Sequence, residues 1–178
     1  MTTIVAVEKP TGVTIAADSR ISGYQINDGW IQKIVQNGDF TFAAAGYLRA
    51  IQVLQHAHLP QPPLEATPQA IDRFVSVELV PALTEAFNSS LGPSPSGPND
   101  DEALQGSVFL VVVRGRIYEI TGGDGAWVRS QSGHYAIGSG AAFALGALEA
   151  GVEPKRAVKI ASIYDPSTNS TVFSKEIA

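Results

Sequence analysis

Thr2 follows Met1, and further along the chain come an aspartate, Asp18, a lysine, Lys33, and a glycine, Gly46. A threonine hydroxyl is a weak nucleophile until a base takes its proton. The α-amino group of the same residue can be that base once Met1 is removed. Such an amine has an unperturbed pKa of about 7.7–8.0, already near the working pH. A charged Lys33 nearby would lower it further, and Asp18 would keep Lys33 charged and in place. The backbone N–H of Gly46, with no side chain in the way, could stabilise a tetrahedral oxyanion. On these residues alone, an ordinary solvated Asp–Lys pair near an amino terminus is the alternative reading.

These groups converge only if the elements between them fold in a particular way. Thr2 to Glu8 reads as a strand, Lys9-Pro10-Thr11-Gly12 as a turn, and Val13 to Asp18 as the returning strand. If Glu8 faces Val13, then Thr3 faces Asp18 and Thr2 faces Ser19. A second hairpin runs from Lys33 to Gln36, turns at Asn37-Gly38 and returns from Phe40 to Gly46. Lys33 and Gly46 then lie together at its open end. Aligned hairpins bring all four residues into one place.

The rest of the chain alternates helices and strands. Leu48 to Ala57 puts Ala50, Ile51, Val53, Leu54 and Ala57 on one helical face. A longer helix begins at Thr67-Pro68 with the stripe Ile71, Phe74, Val75, Leu79, Leu83 and Phe87, and Pro81 predicts a kink. Gly92 to Asp101 holds only Gly, Pro, Ser, Asn and Asp, which predicts a flexible surface loop inside one domain spanning 1–178. Strands are expected at Ser107–Val113, at Arg116–Ile120, around Trp127, around Tyr135 and at Thr171–Ser174. Helices are expected at Gly140–Ala150 and Pro154–Tyr164. Two antiparallel sheets, face to face and each covered by a helix pair, accommodate this order. The fold class is α+β, a four-layer αββα sandwich.

The segments Thr2-Thr3-Ile4-Val5, Ala16-Ala17-Asp18-Ser19-Arg20, Gln32-Lys33-Ile34, Ala45-Gly46 and Ala136-Ile137-Gly138-Ser139-Gly140, in this order, resemble the proteasome β-subunit family, most nearly its bacterial HslV type and the small bacterial proteasome homologues. The resemblance runs through nearly the whole chain and implies an amino-terminal nucleophile hydrolase. It makes Thr2 the nucleophile and its freed amine the base, tuned by Asp18 and Lys33, with Gly46 as the oxyanion donor. It adds Ser139, hydrogen-bonded to the amino terminus, and a supporting pair, Asp165 and Thr168. Ser139 also fits a plain helix cap. Two departures stand out: the loop between Asp18 and Lys33 is one residue shorter than usual, and Thr168-Asn169 replaces Ser-Gly. Asparagine tolerates the left-handed backbone that glycine serves there.

The same resemblance places Ile21, Ile31, Ala44 and Leu48 along the pocket before the scissile bond, with Gln52 at its floor. That wall predicts a preference for uncharged, apolar side chains, although the same residues also fit a core. No cofactor is expected; some relatives hold a structural cation through backbone oxygens near the Asp165 loop. The partners implied are further copies of the chain, in two stacked rings of six or seven, an ATP-dependent unfoldase, and unfolded polypeptide as substrate.

Composition narrows the alternatives. The 178 residues carry 16% charged and 44% hydrophobic side chains, enough for one sizeable core, and a net charge of −5. No basic stripe supports nucleic-acid binding. The absence of cysteine removes disulfides, thiolate metal sites and thiol nucleophiles. No apolar run approaches the roughly 18 residues of a membrane span and no signal segment opens the chain, so a soluble cytoplasmic protein is expected. His56 and His58 are badly spaced for one metal on a helix face, and Asp100-Asp101-Glu102 reads as a solvated loop end. The sequence thus predicts a threonine-type endopeptidase subunit of a ring protease. A catalytically silent ring subunit and a small-molecule amidase of the same fold are the rival classes.

Overall fold

A computed structural model describes residues 2–21, 31–91 and 106–178. Met1, the 92–101 loop, the acidic 100–102 run and most of the segment between Asp18 and Lys33 lie outside the described residues. Strands β1 (Thr3–Lys9) and β2 (Gly12–Asp18) form the first hairpin, with Glu8 opposite Val13 and Ile4 opposite Ala17, the expected register. The second hairpin is β3 (Ile34–Asn37) and β4 (Phe40–Ala45). Its turn differs from expectation by one residue. Asn37 pairs with Phe40, so Gly38 and Asp39 make the turn, with Gly38 at φ 56°. Glycine at the first central position of a two-residue loop suits a type II′ turn. Asn37 instead ties the hairpin to the next helix, its amide nitrogen donating to the carbonyls of Leu54 (3.0 Å) and Ala57 (2.8 Å) at that helix's end.

That helix is α1 (Leu48–His56). The long helical segment is α2 (Pro68–Phe74), a π-helical turn (Val75–Leu79) and α3 (Val80–Leu91). Thr67 caps it by accepting from the Ala70 N–H at 3.3 Å. Where the sequence predicts a kink, the helix instead widens by one residue, and the Val80 N–H reaches back to the carbonyl of Val75. Pro81 supplies the reason: its ring crowds the carbonyl four residues earlier and it has no N–H to offer, so a wider turn just before it relieves the clash.

Strands β5 (Val108–Val113), β6 (Arg116–Thr121), β7 (Trp127–Val128) and β8 (His134–Gly138) follow, then α4 (Ala141–Glu149), α5 (Pro154–Tyr164) and β9 (Val172–Ile177). The last strand extends three residues past the expected Ser174, because Val13 to Asp18 of β2 offer a full-length ladder for it. The sheets run β8-β1-β2-β9 and β3-β4-β5-β6-β7, so the two hairpins belong to different sheets.

Alternation along the strands builds the layers. In β1, Ile4 and Ala6 point into the core between the sheets with Leu110, Val112 and Ile137. Val5 and Val7 point the other way, against Ala144, Leu148, Ala157, Val158 and Ala161 of α4 and α5. On the opposite face, Phe42, Phe109 and Val111 pack under α1, α2 and α3 with Ile51, Leu54, Phe74 and Leu83. These three cores define the αββα sandwich. The small residues of α4 and α5 let that helix pair sit close on β1, which matters for the site below. Among the described residues, no helix is long and apolar enough to cross a membrane.

Candidate active site

Thr2, Asp18 and Lys33 meet at the open end of the sandwich. Asp18 closes β2 in one sheet, and Lys33 directly precedes β3, the edge strand of the other. All three are buried, at 4%, 1% and 7% exposure. The Thr2 hydroxyl donates to Asp18 Oδ1, and Lys33 Nζ donates to that same hydroxyl oxygen. Lys33 Nζ also lies 2.8 Å from Asp18 Oδ1, and the Thr3 N–H donates to the same carboxylate oxygen at 2.9 Å. The other oxygen, Oδ2, accepts from the backbone N–H of Arg20 at 3.0 Å and of Asn169 at 3.4 Å. Burial lowers the Lys33 pKa from its ordinary value, and the charge and hydrogen bond of Asp18 oppose that fall. A cation held against a threonine oxygen favours the alkoxide, so this triangle can activate a hydroxyl nucleophile.

A second polar cluster abuts the first. The Ser139 hydroxyl donates to Asp165 Oδ2 at 2.7 Å and lies 3.4 Å from the carbonyl oxygen of Thr2. Thr168 donates to the same Asp165 oxygen at 2.5 Å, and the Thr3 and Thr168 hydroxyls are 2.5 Å apart. Burial alone would raise the Asp165 pKa. Hydrogen bonds from Thr168, Ser139 and the Ser167 N–H outweigh it and hold the carboxyl below its ordinary range. Among the described residues, hydrogen bonds link Asp165 to Thr2 through Ser139, and to Thr3 through Thr168. Close packing is built in: a Cβ on Gly138 would stand 2.0 Å from the Thr2 carbonyl oxygen, and one on Gly140 would stand 2.1 Å from the Thr3 hydroxyl.

Gly46 sits exposed at the β4–α1 junction with φ 115°. Ser107 fixes this corner; its Oγ accepts the Tyr47 N–H at 2.9 Å, and a Cβ on Gly46 would meet the Ser107 Cα at 2.7 Å. Of the five residues expected along a substrate pocket, Ile31 and Ala44 are half-buried against the core beneath α1–α3. Ile21 and Leu48 are also half-buried. Gln52 is exposed one helical turn beyond Leu48 on α1, and lines a cleft with Arg49, Val53, Gln55, His56, Ala57 and Ser90, where it accepts from Arg49 at 3.4 Å.

Asn169 departs from its expected geometry. Among the described residues, Arg114 is the non-glycine residue with positive φ, so Asn169 is not left-handed. Its side chain is used instead, against Ser19. Thr3, Ser107, Gly138 and Gly140 also shape the site, and the sequence reading assigns them no part in it. Thr3 carries a local signal, since along an extended chain it points to the face opposite Thr2, toward α4 and α5. Ser107 carries none, being far from Gly46 along the chain. Among the described residues, no group of three or more His, Cys, Asp or Glu gathers as a metal site.

No family profile and no curated protein matches this chain. Solved structures do. Eukaryotic HslV from Trypanosoma brucei superposes with a TM-score of 0.66 at 22% identity, covering 98% of each chain. Thiobacillus denitrificans BPH in complex with Epoxomicin gives 0.70 at 22% identity, over 99% of this chain and 100% of that one. Anbu (ancestral beta-subunit) from Yersinia bercovieri gives 0.65 at 16% identity, over 97% of this chain and 80% of that one. With its two antiparallel sheets between helix layers, the chain has the fold of HslV and the proteasome-type amino-terminal nucleophile hydrolases.

Proposed function

We propose that this chain is a threonine-type endopeptidase subunit whose nucleophile is Thr2, exposed by removal of Met1. The observation that carries the reading is the buried triangle in which the Thr2 hydroxyl donates to Asp18 and accepts from Lys33. Thr2 Oγ1 attacks the peptide carbonyl carbon as its proton passes to the freed α-amine. The carbonyl electron pair becomes an oxyanion facing the Gly46 N–H. Collapse expels the amine product, which takes the proton back, and leaves an ester on Thr2. Water, deprotonated by the same α-amine, then hydrolyses that ester. Lys33 and Asp18 tune the amine and hydroxyl, and Ser139, Asp165 and Thr168 hold the terminus. The chemistry asks for no cofactor.

A nucleophile of this kind attacks exposed peptide bonds with little discrimination, so confinement suits it. A homo-oligomer of two stacked six- or seven-membered rings in the cytoplasm would supply that confinement, fed with unfolded polypeptide by an ATP-dependent unfoldase. Support for self-assembly comes from the exposed apolar surface of α4 and α5, where Phe143 stacks on Tyr164 at 5.5 Å beside exposed Ile163. Ile21, Ile31, Ala44 and Leu48 support a preference for apolar side chains before the cleaved bond, with Gln52 one helical turn beyond Leu48.

The test is intact mass after incubation with a peptide epoxyketone, the reagent class of the Epoxomicin bound in the BPH structure. The adduct requires both the hydroxyl and the free amine of an amino-terminal threonine. A species lacking methionine and carrying one inhibitor is expected, and Thr2→Ala should take up none. Loss of methionine with no adduct and no peptide hydrolysis would overturn the reading.

A further inference from the structure

The Asn169 side chain closes on Ser19 from across the site. Its Oδ1 accepts the Ser19 N–H at 3.2 Å, a hydrogen that the Thr171 carbonyl shares at 3.0 Å. The amide also lies against the Ser19 hydroxyl, which is 3.1 Å from Nδ2 and 3.3 Å from Oδ1. Ser19 is buried at 8% exposure and Asn169 is half-buried, so water has limited access to these contacts. The two residues flank the Asp18 carboxylate. Asp18 Oδ2 accepts from Asn169 itself and from Arg20, the residue after Ser19. Asp18 Oδ1 is then left to face Thr2, Thr3 and Lys33. Thr168, the residue before Asn169, reaches Thr3 and Asp165.

We propose that Asn169 is a positioning residue whose side-chain clamp on Ser19 fixes the Asp18 carboxylate and locks the β2 end to the loop that carries Asp165 and Thr168. The inference rests on the peptidase reading for its catalytic consequence, but its geometric content is separate. A carboxylate held by two backbone N–H groups on one oxygen can turn only if those groups move, and the clamp joins the segments that supply them. Asn169 has an ordinary backbone conformation, so the side chain is what this position contributes. A glycine there keeps the N–H and loses the clamp.

The experiment compares wild type, Asn169→Gly, Asn169→Ser, Ser19→Ala and the double variant Ser19→Ala/Asn169→Gly. With hydrolysis of a fluorogenic peptide as readout, Asn169→Gly should lower kcat about tenfold with KM nearly unchanged, the pattern of a lost positioning contact. The double variant should be no slower than Asn169→Gly, because one clamp is being removed twice. Asn169→Ser, which restores a short hydrogen-bonding group, should recover part of the rate. A second readout needs no turnover: titration of the Lys33 ammonium by NMR. Among the described residues, the charged groups around Lys33 are Asp18 on β2 and Lys175 on β9, which shares its cleft, and in the processed chain the Thr2 α-amine joins them, so the variants are compared in the same processing state. A loosened Asp18 supports the Lys33 charge less, so Lys33 should titrate at lower pH in Asn169→Gly than in wild type. A clamp with only a structural role would lower stability and leave both kcat and the Lys33 titration in place. Unchanged titration, or additive effects in the double variant, overturns the inference. An inactive wild type with a shifted Lys33 overturns the peptidase reading and leaves the clamp standing.

Discussion

Asp18 and Lys33 form a buried ion pair between two different sheets. The 2.8 Å contact joins the last residue of β2 to the residue just before β3, with side-chain exposures of 0% and 6%. Two charges withdrawn from water this far are a weak source of stability, because desolvation offsets most of their attraction. Their placement against the Thr2 hydroxyl is what the proposed peptidase chemistry draws on.

That placement separates stability from activity in one set of variants. Lys33→Met strands the Asp18 carboxylate and should destabilise the fold by about 3–5 kcal/mol, the usual cost of breaking a buried pair. It should also lower kcat/KM by at least about 10²-fold, on the scale of a lost acid–base contribution. Adding Asp18→Asn removes the stranded charge, so the double variant should regain most of the stability and none of the activity. Denaturant midpoints and peptide hydrolysis, measured side by side, check this. Activity within threefold of wild type in Lys33→Met would remove Lys33 from the mechanism.

The rate should depend on pH as a bell. On the acid side, the freed Thr2 amine must lose its proton to act as base, so kcat/KM rises as pH climbs toward about 7.7–8.0 or below. On the alkaline side, Lys33 must keep its proton. Burial lowers its pKa, so its charge is lost at a lower pH than for an exposed lysine, and activity should fall with it. A profile that stays flat up to the ordinary lysine range, about 10.4, would mean that the Lys33 charge is not used.

Glycines test the geometry without removing a functional group. Gly138→Ala forces a Cβ to within 2.0 Å of the Thr2 carbonyl oxygen, a backbone atom that moves only if Thr2 moves. Gly46→Ala meets the Cα of Ser107 at 2.7 Å and must also hold φ near 115°. Each should lose far more activity than Gly115→Ala, where φ is 72° but nothing lies within 4 Å. Left-handed strain alone costs about 1–2 kcal/mol, so Gly115→Ala sets the background for both. Equal losses in all three would show that strain, and not displacement of Thr2 or of the Gly46–Ser107 corner, is being measured.

What is legible in the sequence follows the range of each interaction. The β1–β2 register can be read because a short turn fixes pairing locally, and with it the approach of Asp18 to Thr3. The meeting of Lys33 with Asp18 is only conditional, since it depends on how two sheets face each other, which no single hairpin encodes. The turn at Gly38-Asp39 falls one residue later than propensity predicts, because Asn37 suits a turn while tertiary contact with α1 draws it into β3. Ser107 and the Asn169–Ser19 clamp are hidden for the same reason: their partners lie 60 and 150 residues away. The core stripe Ile71, Phe74, Val75, Leu79, Leu83 and Phe87 survives the π turn, because one extra residue per turn still leaves these side chains on the sheet side.

Asp165 yields a prediction for acid conditions. Its folded pKa lies below the ordinary value, so the folded state favours its ionised form and binds its proton less readily than the unfolded chain does. The resulting stabilisation is fully present above the unfolded pKa, about 3.9, and is lost as pH falls through the lower folded value. Asp165→Asn cannot ionise, and it presents an amide N–H₂ or a neutral oxygen to the Ser139 and Thr168 hydroxyls that now donate to Oδ2. Wild type should therefore be more stable than Asp165→Asn at pH 7, with the gap narrowing steadily below about pH 4. Urea midpoints at pH 7 and pH 3 measure it directly. In the proposed peptidase chemistry Asp165 acts through Ser139 and Thr168, so the variant should lose kcat at nearly constant KM. A gap that stays the same at both pH values would mean that the charge of Asp165 contributes nothing, and that its place is held by the hydrogen-bond geometry alone.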